Sequence, residues 1–118
     1  MTQKPLVMVV NSEAIIRLGA VDIVKHAGYA VIDVSNADAA MEILHSRNDI
    51  RAVFTDINMP GSMNGMELAH YIRKHWPQIR LIVTSSPDQC DGFPENWRYI
   101  RKPYDGAIVA ATLRALGV

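Results

Sequence analysis

Ala52-Val53-Phe54-Thr55-Asp56-Ile57-Asn58-Met59-Pro60-Gly61 is the stretch on which the fold turns. An apolar, β-favouring run meets a carboxylate at Asp56, and turn-forming residues then continue to Asn64-Gly65. A buried strand that ends in an aspartate and passes at once into a loop puts charge where open α/β sheets carry their chemistry. Taken alone, the segment also describes an aspartate that caps the next turn. The rest of the chain decides between the two.

Working outward, short apolar segments predict strands at Leu6 to Val10, Ala30 to Val34, Ala52 to Thr55, Arg80 to Val83 and Arg98 to Ile100. The first and fourth are continuously apolar apart from their edges, as expected of parallel strands covered on both faces. Helical spacing predicts helices over Ile15 to Ala27, Ala37 to Ser46, Met66 to Trp76 and Asp105 to Leu116. Asn36 and Asp105 are N-cap candidates, Gly28 follows the first helix and Pro77 ends the third. Strand and helix alternating in this way imply right-handed crossovers and one doubly wound, five-stranded parallel α/β sheet. From Ser85 to Asn96 two prolines and a glycine replace any helical stripe, so the fourth crossover helix is expected to be shortened or absent.

At 118 residues the chain reads as one domain, 1–118, with enough core to fold without staples. Lys+Arg 12 balances Asp+Glu 12, so no charge excess points to nucleic acid. Apolar runs of about five residues are too short for a membrane span, and the N-terminus lacks a signal-peptide pattern. A single cysteine, Cys90, cannot close an internal disulfide and fits a cytoplasmic location. Asp88 and Asp91 beside it disfavour a thiolate, so it reads as a loop residue. His26, His45, His70 and His75 lack metal-ligand spacing and read as surface residues. No glycine-rich phosphate loop follows the first strand, which argues against a nucleotide- or flavin-binding enzyme.

In a doubly wound sheet the C-terminal strand ends converge on one crevice. There the sequence offers Asn11, Ser12 and Glu13 after strand one, Asp56 after three, Thr84 and Ser85 after four, and Lys102-Pro103 after five. With Val9-Val10…Glu13, Thr55-Asp56-Ile57-Asn58-Met59-Pro60-Gly61, Ile82-Val83-Thr84-Ser85 and Tyr99-Ile100-Arg101-Lys102-Pro103-Tyr104, the whole chain resembles the CheY-like receiver domain of two-component response regulators. The resemblance implies a flavodoxin-like strand order of 2-1-3-4-5. It implies that Asp56 accepts a phosphoryl group from a histidine kinase or histidine phosphotransfer protein, and that the domain is a self-phosphorylating acceptor and not a turnover enzyme. It makes Lys102 the charge partner, Thr84 and Ser85 the hydroxyl side of the site, and Tyr99 the aromatic whose rotamer follows the switch. It further implies a cis bond before Pro103, which sets where Lys102 points. Each residue alone has an ordinary reading: a solvated lysine, a strand-filling threonine, a core tyrosine with a wet hydroxyl.

One departure stands out. Receivers place two acidic residues after strand one to hold Mg²⁺, and here those positions are Asn11 and Ser12. Asp56 and the Asn58 carbonyl remain as hard oxygen ligands, while Asn11 and Ser12 offer only neutral oxygens. A unit-charge pair about 4 Å apart is worth about 4 kcal/mol at an effective dielectric of about 20, so Mg²⁺ binding is expected to be weak. Glu13 either turns toward the metal or serves the N-terminus of the first helix. The chain therefore reads as a phosphorylated receiver with altered Mg²⁺ dependence, or as a degenerate receiver that acts as a phosphorylation-independent interaction module. Unless the chain is a fragment of a longer protein, no output domain follows Val118 and its message is expected to pass by contact with a downstream protein. Ile15 and Leu18 are candidates for docking a helical phosphodonor, with core packing the alternative. The apolar surplus of the last helix, where Arg114 is the sole charge after Gly106, offers a partner or homodimer face.

Overall fold

The computed structural model describes residues 4–61, 63–85 and 97–118. Its elements are β1 (Leu6–Val10), α1 (Ala14–His26), β2 (Ala30–Val34), α2 (Ala37–Ser46), β3 (Ile50–Asp56), α3 (Gly65–His75), β4 (Arg80–Ser85), β5 (Arg98–Arg101) and α4 (Gly106–Ala115). All neighbouring strands pair in parallel, in the order β2-β1-β3-β4-β5. The expected 2-1-3-4-5 sheet is therefore present. The expected loss of a helix between β4 and β5 concerns residues outside the described ones, as does Cys90.

Strand alternation divides the core into two layers. Met8, Val10, Val53, Leu81 and Val83 face α2 and α3, where they meet Ala40, Leu44, Leu68 and Ile72. Val7, Val9, Ala52, Phe54, Ile82 and Ile100 face α1 and α4, where they meet Ala20, Val24, Val109 and Leu113. With helices on both faces, the central strands need no polar side, which accounts for their continuous apolar runs. Local signals fix the helix ends. Asn36 and Asp105 accept from Ala39 and Ile108 backbone N–H groups, and Asn64 with Glu67 forms a full capping box. Gly28 takes φ +101 after α1, a left-handed turn that suits glycine.

Three strands extend further than their sequence patterns suggest, β5 by Arg101 alone. β3 runs from Ile50 through Asp56, and β4 continues through Thr84 and Ser85. Asp56 and Thr84 are consequently ladder partners inside the sheet and not loop residues beyond it. All four histidines are exposed, as expected, and Tyr71 stacks on His75 at a centroid distance of 3.9 Å.

Ile15 and Leu18 on α1 are 87% and 59% exposed, which removes core packing as their role. Truncation of the fully buried Leu68 to alanine is expected to cost about 3 kcal/mol in urea unfolding, whereas Ile15→Ala should change stability by less than about 0.5 kcal/mol. Comparable losses at both positions would contradict this division between core and surface.

Candidate functional site

Asp56 closes β3 at the C-terminal edge of the sheet, with only 4% of its surface exposed. One carboxylate oxygen, Oδ1, accepts the Asn58 backbone N–H at 3.1 Å. The other, Oδ2, accepts Lys102 Nζ at 2.8 Å. Lys102 reaches this point from beyond β5, passing the end of β4, where its backbone N–H donates to the Ser85 carbonyl at 3.0 Å. Its bond to Pro103 is cis, as the resemblance implied. On the other side of Asp56, Gly65 donates its N–H to the Ile57 carbonyl at 2.9 Å. A Cβ on Gly65 would overlap the Asp56 carbonyl, so the start of α3 rests directly on the backbone that carries the carboxylate.

Thr84 lies opposite Asp56 in the β3–β4 ladder, and register partners in parallel strands project to the same face. Its Oγ1 is buried and has no hydrogen-bond partner among the described residues. An unsatisfied buried hydroxyl costs about 1–3 kcal/mol, so its position beside a buried carboxylate asks for an explanation. Tyr99, half-buried on β5, donates its hydroxyl to the Ser85 carbonyl at 3.0 Å and accepts from Ser85 Oγ at 3.3 Å. Asp56, Thr84, Ser85, Tyr99 and Lys102 are thus brought to one edge of the sheet.

The β1–α1 side is built differently. Asn11 is 3% exposed, its Oδ1 accepts the Glu13 backbone N–H at 2.9 Å, and its carbonyl accepts Arg17 Nη1 at 2.9 Å. Arg17 also pairs through Nε with Asp33 Oδ2 at 3.1 Å. Ser12 is half-buried. Glu13 is exposed and occupies the N-cap position of α1 without a side-chain capping bond.

This chain belongs to the response regulator receiver domain family, whose model matches residues 7–112. It is 27% identical over 117 residues to the sensor kinase CckA of Brucella abortus, covering 93% of this chain and 12% of that protein. It is 30% identical over 89 residues to the aerobic respiration control protein ArcA of Escherichia coli, covering 75% of this chain and 37% of that one. The chain therefore spans a minor part of the length of these relatives. In structure it is similar to a response regulator receiver domain protein from Clostridium thermocellum, with a TM-score of 0.87 at 22% identity over 94% of this chain and 92% of the other. It is likewise similar to the receiver domain of the hybrid histidine kinase CckA, with a TM-score of 0.78 at 20% identity over 94% and 97%. No helix among the described residues is long and apolar enough to cross a membrane.

Receiver domains generally bind Mg²⁺ at an acidic pocket. The donor set here is a poor fit for that ion. Among the described residues no three His, Cys, Asp or Glu side chains group closely enough to hold a metal. Both oxygens of the Asp56 carboxylate already accept hydrogen bonds, and the nearby Asp33 carboxylate at the end of β2 is paired with Arg17. The Asn11 side-chain oxygen and carbonyl are engaged by Glu13 N–H and Arg17.

Sequence reasoning missed Tyr104 as a member of this neighbourhood. Its ring packs on Phe54 at a centroid distance of 5.5 Å, and burial, followed by the negative charge of Asp56, raises its hydroxyl pKa above the usual 10.0. A raised pKa in the folded state favours the neutral phenol, so this contribution to stability is complete below pH 10.0 and is lost as pH rises through the folded value. An absorbance titration of tyrosinate should show the Tyr104 midpoint falling in Asp56→Asn, assigned against Tyr104→Phe. An unchanged midpoint would mean that the carboxylate does not act on the ring.

The Asp56–Lys102 pair carries a second expectation. Lys102→Met should destabilise the fold by about 2 kcal/mol, because it strands a buried carboxylate, with a discount for the partial exposure of the lysine. Adding Asp56→Asn to that variant should recover most of the loss, and additive losses in the double variant would contradict the pairing.

Proposed function

We propose that this domain takes a phosphoryl group onto Asp56 from a phosphohistidine on a histidine kinase or phosphotransfer protein and signals by changing conformation. The observation that carries the proposal is the Thr84 hydroxyl, unpartnered among the described residues, beside the pair that buried Asp56 makes with half-buried Lys102. In the transfer, a carboxylate oxygen of Asp56 forms a new O–P bond as the histidine N–P bond breaks, and that electron pair returns to the imidazole ring. Lys102 would neutralise the phosphoryl oxygens, and Thr84 would donate to one of them. The Thr84 hydroxyl would then gain the partner it lacks at rest. Tyr99 and Ser85, already joined by hydrogen bonds, would register that movement. Mg²⁺ would bind weakly, with Asp56, the Asn58 carbonyl, Asn11, Ser12 and Glu13 the residues nearest in role to the family's metal ligands.

The donor would dock on α1. Exposed Ile15 and Leu18 lie on that helix, and a groove of ≈ 530 Å³ lined by Ile16, Gly19, Ala20, Ile23, Pro103 and Tyr104 reaches Lys102 at the site. An apolar path ending at the acceptor suits an amphipathic helix that carries the phosphohistidine. The output would be a cytoplasmic protein contact, with the domain acting as an acceptor that does not turn over substrate.

A specific observation favours a second reading. The Asn11 segment is neutral and closed by its own hydrogen bonds, as suits a degenerate receiver that serves as an interaction module. Intact-mass spectrometry after incubation with acetyl phosphate, and separately with a phosphohistidine donor, tests the two. One phosphoryl adduct in the wild type, absent in Asp56→Asn, is the expected result. No adduct from either donor in folded protein would overturn phosphoacceptance in favour of the interaction module.

A further inference from the structure

Three features of the β1–α1 side have no part in the proposed transfer: the neutral residues Asn11 and Ser12, the hydrogen bonds that occupy Asn11, and the Arg17 guanidinium on its carbonyl. Together they bear on charge. A pair of carboxylates and one divalent cation cancel, so a site that lacks all three has the same net charge as one that holds all three. Conversion of a carboxylate to its acyl phosphate adds roughly one negative charge, because a phosphoryl group carries about −1.5 to −2 near neutral pH. With the acids absent, Lys102 at 2.8 Å from Asp56 pairs, among the described residues, with that carboxylate and not with a cluster of anions.

We infer that this site accepts a phosphoryl group without a divalent cation, the fixed charge of Lys102 meeting the need that an acidic pair would create and Mg²⁺ would fill. This rests on the phosphoacceptor reading of Asp56. The β1–α1 segment is organised to match. The Asn11 amide oxygen is turned back onto the Glu13 N–H, and the carbonyl beside it carries a guanidinium, which repels a second cation. Arg17 is itself held by Asp33 from the end of β2, so this closed arrangement is anchored on two elements. Glu13, the one carboxylate in the segment, stands exposed at the N-terminus of α1. Mg²⁺ requires hard oxygen ligands in near-octahedral geometry and gives up its water reluctantly, and these groups offer it little in exchange.

The test has two readouts. In the first, ¹⁵N-labelled wild type is titrated with MgCl₂ to roughly 10 mM while the amides of Asp56, Ile57, Asn58 and Lys102 are followed by NMR. In the second, adduct formation by acetyl phosphate is measured by intact mass in excess chelator and in Mg²⁺. The amides should show no saturable shift, and the adduct in chelator should lie within about twofold of that in Mg²⁺, as expected when the ion binds too weakly to favour the phosphorylated state. Asn11→Asp/Ser12→Asp should acquire saturable Mg²⁺ shifts and an adduct that depends on Mg²⁺ by about tenfold or more; Asn11→Asp alone serves if the double variant does not fold. Saturable shifts in the wild type, or an adduct abolished by chelator, would overturn the inference and leave phosphoacceptance standing. No adduct with or without Mg²⁺, from acetyl phosphate or a phosphohistidine donor, would overturn both.

Discussion

A carboxylate with 4% of its surface in contact with solvent must find its counter-charge inside the fold, and for Asp56 that charge is Lys102. Much of the architecture follows from delivering one to the other. Asp56 ends the central strand β3, whereas Lys102 follows β5 at the sheet's edge, so β4 has to lie between them. The ladder from Asp56 to Thr84, and from Ser85 to Arg101, sets the three strand ends at a common level. The Ser85 carbonyl then takes the Lys102 N–H, and from that anchor the side chain spans the β4 end to the carboxylate. Gly65 completes the confinement from the α3 side, since any larger residue would displace the Asp56 backbone.

The opposite side of the crevice obeys a different constraint. Asn11 leaves β1 as a buried polar residue, and buried polar groups require partners. It obtains them locally, from Val34 for its N–H, Glu13 for its side-chain oxygen and Arg17 for its carbonyl. An aspartate in its place would add a second buried carboxylate at the C-terminal edge of the sheet, and the Asp56–Lys102 pair would no longer settle the charge there by itself. Neutral residues at these positions and a direct Asp56–Lys102 contact are therefore two aspects of one electrostatic solution.

The alternation of apolar strands with helical stripes made the sheet order legible in the sequence, because parallel crossovers leave few ways to arrange five strands. The strand ends were less so. Thr84 and Ser85 read as the first loop residues after an apolar run, yet both lie in β4, where they keep the ladder with Asp56 and Arg101. Asp56, Thr84, Tyr99 and Lys102, which the structure brings to one edge of the sheet, each fall within a compact local motif that singles them out in the sequence. Arg17 on Asn11, Tyr104 on Phe54 and the close approach of Gly65 to Asp56 are not singled out there, because each depends on a contact between segments with no periodicity to announce it. Ile15 and Leu18 were ambiguous for a related reason: helical spacing marks an apolar face without saying whether another element covers it, and here none does.

Within the proposed function, the Ser85 carbonyl is the point at which chemistry and conformation meet. It accepts the Lys102 backbone N–H and the Tyr99 hydroxyl, each at 3.0 Å. Thr84, the neighbouring residue, holds the unpartnered hydroxyl. A phosphoryl oxygen that draws Thr84 toward Asp56 would pull on the peptide that ends at this carbonyl, and so on the backbone that positions Lys102 and the hydroxyl that holds Tyr99. Interfaces of this kind respond in discrete steps because close-packed interiors do not deform smoothly. Tyr99 is half-buried, so its ring has room to exchange one partner for another without opening the core. On this account the orphaned hydroxyl at rest is the source of the switch: its cost is carried by the unphosphorylated state and relieved by the phosphorylated one.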